Sequence, residues 1–233
     1  MDSVSLGMSV VEITWLNILL SGDNALVIAL ACRQLEERER KYGIMFGAGA
    51  AVVLRIIFTA GVSFVLKFPF LRVAGGALLL WIAVKLLVGE ESSDDEVAAH
   101  PSLWRAVWTI VVADIVMSLD NVLAIAAAAH GSHLLIILGL AISIPIVVMS
   151  STLIVSMLNR LPILVWAGAG FLGWIAGEMM VADETAMNYV QFEPPEWAAA
   201  GACAALVLVT GWLVNKRRAS AHAAATAEET DPT

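Results

Sequence analysis

The chain has 233 residues, 60% of them hydrophobic and 15% charged, with a mean hydropathy of +0.84 and a formal net charge of -8. A soluble domain carries about 25% charged residues, so this composition is that of an integral membrane protein and excludes an ordinary globular enzyme. The acidic balance also argues against nucleic acid as a partner.

Seven apolar runs follow one another along the chain, at 8–32, 43–66, 69–88, 103–129, 134–158, 162–181 and 197–214. Each approaches or exceeds the ~20 residues that cross the hydrocarbon of a bilayer. Helices are expected, because lipid offers backbone groups no outside partner and runs this long are not barrel strands. The connecting segments are short, apart from an acidic linker at 89–99 that holds Glu90, Glu91, Asp94, Asp95 and Glu96. Residues 1–214 thus read as one transmembrane domain. The Ala/Thr/Glu-rich tail at 215–233 reads as a cytoplasmic extension without fixed structure. Cys32 and Cys203 are isolated and read as small packing residues.

Basic residues set the expected orientation. Arg33, Arg38, Arg40, Lys41, Arg105, Arg160 and the Lys216-Arg217-Arg218 run fall on one side, against Lys67 alone in the loops on the other. Seven spans then place the N-terminus outside and the C-terminus in the cytoplasm, with the protein a multi-pass membrane component.

A duplication runs through the first six spans. Ser21-Gly22-Asp23-Asn24 reappears as Ser118-Leu119-Asp120-Asn121, and Pro69, Gly75 and Trp81 correspond to Pro162, Gly168 and Trp174. The motif offset exceeds the other offset by four residues, which the charged stretch 36–41, read as a loop, accounts for. Three spans per copy force the copies to be inverted in the membrane, giving a 3+3 repeat plus one added helix. Secondary transporters are commonly built this way, with the ion site at the repeat interface near the midplane.

An ionised carboxylate at that depth costs roughly 2.5 to 3.5 kcal/mol, so matched Asp23 and Asp120 require an explanation. Asn17, Ser21 and Asn24 form one helical stripe, and Asp114, Ser118 and Asn121 form the corresponding stripe. On a regular helix Asp23 lies about 120° from its stripe, close to the direction of Glu12. Either the aspartate faces a second neighbour or the helix breaks at the motif. Carboxylate, amide and hydroxyl oxygens suit hard divalent cations such as manganese, calcium and magnesium; zinc and copper would favour His and Cys. Glu12 and Asp114 could complete the shell or carry exchanged protons. Arg55, in mid-span, reads as a counter-charge to an aspartate of an empty site. Interhelical hydrogen bonding is the plain alternative for the Asp-Asn pairs.

At these residues the sequence resembles the TerC family of integral membrane proteins, in its shorter bacterial branch. The likeness rests on Leu20-Ser21-Gly22-Asp23-Asn24-Ala25-Leu26, on Ala113-Asp114 with Met117-Ser118-Leu119-Asp120-Asn121-Val122-Leu123, and on Leu54-Arg55-Ile56, and it extends over 8–182. The resemblance implies a place in the lysine-exporter-like superfamily and a role in manganese efflux. By motif it assigns Asp23, Asn24, Asp114, Asp120 and Asn121 to the metal; helical spacing, read from the residues, adds Glu12, Asn17, Ser21 and Ser118 along the path. Where the family commonly has an aspartate this chain has Asn17, which removes a charge and bears on ion preference or proton count.

The expectation is therefore an exporter of a divalent cation driven by an ion gradient, with Mn2+ as cargo and no prosthetic group. Its partners are the cation, exchanged protons and the bilayer, and the sequence is compatible with a homo-oligomer. No nucleophile–base constellation, phosphate loop or zinc signature points to an enzyme. Two other readings are a membrane anchor or assembly partner, acting through the acidic linker and tail, and an exporter of a small organic solute.

Overall fold

In the computed structural model residues 22–61, 70–89, 102–128, 133–189 and 195–229 are described, and their regular structure is entirely α-helical. The elements are α1 (Gly22–Cys32), α2 (Glu37–Ala60), α3 (Leu71–Val88), α4 (Leu103–Ala128), α5 (His133–Arg160), α6 (Ile163–Val181), α7 (Glu184–Tyr189) and α8 (Glu196–Glu229). Five of them, α2, α3, α5, α6 and α8, are long and apolar enough to cross a membrane, and α1 is a shorter apolar helix. The expected first span begins at residue 8, and its part before Gly22 lies outside the described residues. The side chains of α4 are described only as far as Ser118.

The structure differs from the sequence reading at several ends. The stretch 36–41, expected as a loop, belongs to α2 from Glu37 onward. Its Glu, Arg and Lys residues are good helix formers, Glu37 and Glu39 favour the positive end of the helix, and Lys41 meets Glu37 at 3.2 Å. The tail, expected to lack structure, continues α8 to Glu229, in keeping with its alanine content. The short α7 carries no apolar periodicity and was not anticipated. In the second motif copy the helix is unbroken, since α4 runs through Asp120 and Asn121. Cys32 and Cys203 are both free.

Two groups of helices share one core. α2 packs on α4 and α5, and α1 fits among α2, α4 and α5; α6 packs between α3 and α8. The α6–α8 seam is close because Gly177 has no side chain. A Cβ there would sit 2.6 Å from the Ala199 carbonyl oxygen and 2.6 Å from the Ala200 Cα, both on α8. Small residues serve this purpose in membrane helices, where van der Waals contact must replace the hydrophobic effect. The core these seams enclose includes Ile28, Leu79, Ile82, Ile110 and Leu172, each 2% exposed or less. Large apolar side chains such as Trp104, Trp108, Met149, Ile163 and Trp197 instead point outward.

Polar contacts hold the ends of α3. At its C-terminus the Arg33 Nη2 donates to the Leu86 carbonyl at 3.2 Å and the Arg218 Nη1 donates to the Val88 carbonyl at 2.7 Å. Cations there satisfy carbonyls that the helix leaves unpaired and oppose its dipole. At its N-terminus the buried Asp183 Oδ2 accepts the backbone N–H groups of Arg72 (3.1 Å) and Val73 (3.4 Å), while Oδ1 accepts that of Ala186 at 3.0 Å. Asp183 is thus a shared cap for α3 and α7. Its burial has a structural cause.

Candidate functional site

The three helices α1, α2 and α4 bring polar groups together inside the first helix group. α2 presents Arg55, 3% exposed, and α4 presents Asp114 and Ser118, 5% and 1% exposed. The Arg55 Nη2 donates to the Asp114 Oδ1 at 2.5 Å, and the Arg55 Nε donates to the Ser118 Oγ at 3.1 Å. Ser118 in turn donates to the Asp114 Oδ2 at 3.1 Å, one helical turn back. Arg55, Asp114 and Ser118 therefore close a ring of mutual contacts. The Thr59 hydroxyl donates to the Arg55 carbonyl at 2.7 Å, on the same stretch of α2.

Across from this ring stands α1. Asp23 lies in its first turn, and the Asp23 Oδ1 accepts the backbone N–H of Asn24 at 2.9 Å. Asp23 is within coulombic reach of both Arg55 and Asp114. Asn24 is 5% exposed, and neither its amide oxygen nor its amide nitrogen finds a hydrogen-bond partner among the described residues. Asn24 and Asp114 line one cavity of ≈ 10 Å³, closed by Val27, Ile28, Ala51 and Ile110. That volume is at the lower limit for a single water. Gly47 of α2 lets this wall close, since a Cβ there would meet the Ile110 Cδ1 at 2.5 Å.

A second, open cavity of ≈ 380 Å³ takes in Asp23. It is lined by Asp23, Glu178, Glu196, Met117 and Met179, among others. Glu178 is held by the Trp174 Nε1, which donates to its Oε1 at 2.7 Å. At the repeat-equivalent position Lys85 lies over the Trp81 ring, 5.5 Å from its centroid.

The structure thus places Asp23, Asn24, Asp114, Ser118 and Arg55 in one neighbourhood. Asp120 and Asn121 are helical positions of α4 whose side chains are not among those described, and Glu12, Asn17 and Ser21 lie outside the described residues. Among the described residues no group of three His, Cys, Asp or Glu side chains gathers to hold a metal. Glu178 and Glu196 were not singled out for the path by the sequence. The repeat correspondence of Glu178 with Lys85 was visible, but its facing Asp23 depends on how α6 and α8 pack.

Comparisons with known proteins agree on the family. The family model described as integral membrane protein TerC family matches residues 3–219. The chain is similar to the uncharacterized membrane protein YjbE of Bacillus subtilis (strain 168), 42% identical over 177 residues that cover 76% of this chain and 81% of the relative. It also resembles YceF of the same organism, another uncharacterized membrane protein, at 30% identity over 60% of this chain and 57% of that one. YkoY, of like description and organism, is 27% identical over 67% of this chain and 54% of its own. No solved structure matches. With one family model fitting nearly its whole length and a close relative matching three quarters of it, this multi-pass chain belongs to the TerC family of integral membrane proteins.

Proposed function

We propose that the protein carries a divalent cation, manganese by the family resemblance, out of a bacterial cell across the cytoplasmic membrane. The observation that carries this reading is the Asn24 amide, without a hydrogen-bond partner among the described residues, facing Asp114 deep within the helices and beside Asp23. Buried polar groups are nearly always hydrogen-bonded, so an orphaned amide next to a carboxylate marks a place where another group binds. The oxygens available there, from two carboxylates, an amide and a hydroxyl, suit a hard divalent ion.

The finer architecture belongs to the same proposal: seven spans, an inverted 3+3 repeat with an added helix, N-terminus outside and C-terminus inside. Arg33, Lys85 and Arg105 gather around one cavity at the C-terminal end of α3, where Arg218 also bonds, which suits a cytoplasmic face. Met179 and Met180 pack against Gly75 and Gly76 near the other end of α3, so the acidic cavity opens at the opposite end. A cation leaving Asp23 would meet Glu178 and Glu196 on its way out. Asp120 and Asn121 would complete the shell, Glu12, Asn17 and Ser21 would line the path, and an ion gradient, such as that of protons, would drive it.

Manganese uptake into inverted membrane vesicles tests the proposal. Asp23→Asn, Asp114→Asn and Asp120→Asn should each abolish uptake while the protein still inserts. Full transport by Asp23→Asn and Asp114→Asn together would remove the site. A second reading, an anchor for other proteins, draws on α8, whose 34 residues span roughly 50 Å and exceed a ~30 Å hydrocarbon layer. That reading requires truncation after residue 214 to matter more than loss of either aspartate.

A further inference from the structure

Both oxygens of Asp114 are already engaged, Oδ1 by the Arg55 guanidinium and Oδ2 by the Ser118 hydroxyl. The three side chains are almost wholly buried, at 3%, 5% and 1% exposure. The one cavity that Asn24 and Asp114 share has ≈ 10 Å³, too little for a cation that keeps any water. Asn24, the neighbour best placed to ligate with Asp114, meanwhile has neither of its polar atoms satisfied among the described residues. The guanidinium therefore sits where the cargo would take its carboxylate, and the cargo's other ligand waits unused.

A divalent ion bound to Asp114 would stand a few ångströms from a guanidinium that is always protonated, in an interior that screens charge poorly. Asp114, with Oδ1 on the guanidinium and Oδ2 on the Ser118 hydroxyl, cannot hold both at full strength, even with Asp23 beside it. Resting on the cation reading above, we propose that Arg55 is a resident substitute for the cargo: guanidinium and divalent ion hold Asp114 in alternation, and the return of Arg55 expels the ion. This arrangement solves a problem common to any carrier with a buried carboxylate. Once the ion leaves, the charge would remain uncompensated in a dry interior, and release would be slow. A proton could neutralise the empty carboxylate only below its pKa, whereas arginine does so at every physiological pH. Ser118, bonded to both groups, gives the guanidinium an oxygen to hold while its grip on Asp114 changes. Arg55 is on this account a positioning residue for release, and it sets how tightly the cargo is held.

The test uses the full chain purified in detergent and in proteoliposomes, with Mn2+ alone as probe. Thermal stabilisation by Mn2+ gives the apparent affinity, and a manganese-quenched dye inside the liposomes gives the rate. Arg55→Gln should bind Mn2+ at least tenfold more tightly than the wild type and turn over at least tenfold more slowly. A folded Arg55→Gln protein with unchanged or weaker binding, or with a wild-type rate, would overturn the inference. Where Arg55→Gln does not fold, Arg55→Lys answers the question, since it keeps the charge but loses the two-pronged hold on Asp114 and Ser118. It should bind Mn2+ about threefold more tightly with a lowered rate, and equality with the wild type in both would refute the proposal. Failure of the cation reading itself looks different: the wild type would show no Mn2+ stabilisation and Asp114→Asn would behave like the wild type. Wild-type binding that depends on Asp114, without tightening in either arginine variant, removes the arginine's role and leaves the cation site.

Discussion

Arg55 of α2 and Asp114 of α4 are 59 positions apart in the chain, yet their side chains meet at 2.5 Å in a site where each is almost completely buried. Buried ion pairs seldom repay their desolvation, but removing one partner is costly because the other is left charged and alone. Asp114→Asn should therefore lose about 3 to 5 kcal/mol of stability as well as transport. Replacing both, as Arg55→Met with Asp114→Leu, should recover most of that stability and none of the transport. Thermal unfolding in detergent beside a manganese flux assay separates the two effects. A double variant as unstable as Asp114→Asn would contradict the argument.

Asn24 gives the opposite pattern. An unsatisfied buried polar group costs about 1 to 3 kcal/mol, and Asn24 has two atoms without a partner among the described residues. Asn24→Leu should raise the unfolding temperature of the metal-free protein while lowering manganese transport at least tenfold. Such a trade between stability and activity is expected where a polar group is kept for a ligand. A loss of stability in this variant would show that Asn24 is satisfied structurally.

How much of this could be read from the chain depends on whether the interaction is local. The Asp114–Ser118 contact is a one-turn pair on a helix and follows from spacing. Arg55 was legible as a lone cation in mid-span, but its choice of Asp114 is made by the packing of α2 on α4, which no local pattern encodes. The same holds for Glu178 and Glu196, drawn toward Asp23 by α6 and α8. Asp183 was missed because a capping carboxylate next to a six-residue helix leaves only a weak signature. The helix starting at Glu37 departs from the expected loop for another reason: charge suggests a solvated connection, yet Glu, Arg and Lys are strong helix formers.

Glu178 and Glu196 face Asp23 across an open cavity, so their charges act at longer range and in contact with solvent. Glu178→Gln and Glu196→Gln should each slow manganese transport by a factor of about two to five, and the effect should shrink at high ionic strength because exposed charges are screened. Initial rates at two salt concentrations check this. An effect as large as that of Asp23→Asn, and independent of salt, would instead make them direct ligands.

At Gly177 the prediction is purely structural. Gly177→Val must push its side chain into the α8 backbone at Ala199 and Ala200. Separation of the two helices should cost more than about 3 kcal/mol, at the upper end of overpacking effects. Gly201→Ala, with nothing nearer to its Cβ than Trp174 at 3.9 Å, should be close to neutral. Comparable thermal stability of the two variants would contradict the close α6–α8 seam.

Anomalous diffraction from manganese-soaked crystals of the full chain tests the central claim most directly, because it locates the ion and its ligands together. The account predicts a peak bonded to Asp114 and to the Asn24 amide oxygen, at oxygen-ligand distances of roughly 2.0 to 2.6 Å, with Asp23 beside it and the Arg55 guanidinium withdrawn. Manganese found only at surface carboxylates, with Arg55 still on Asp114 and Asn24 still unpartnered, would contradict it.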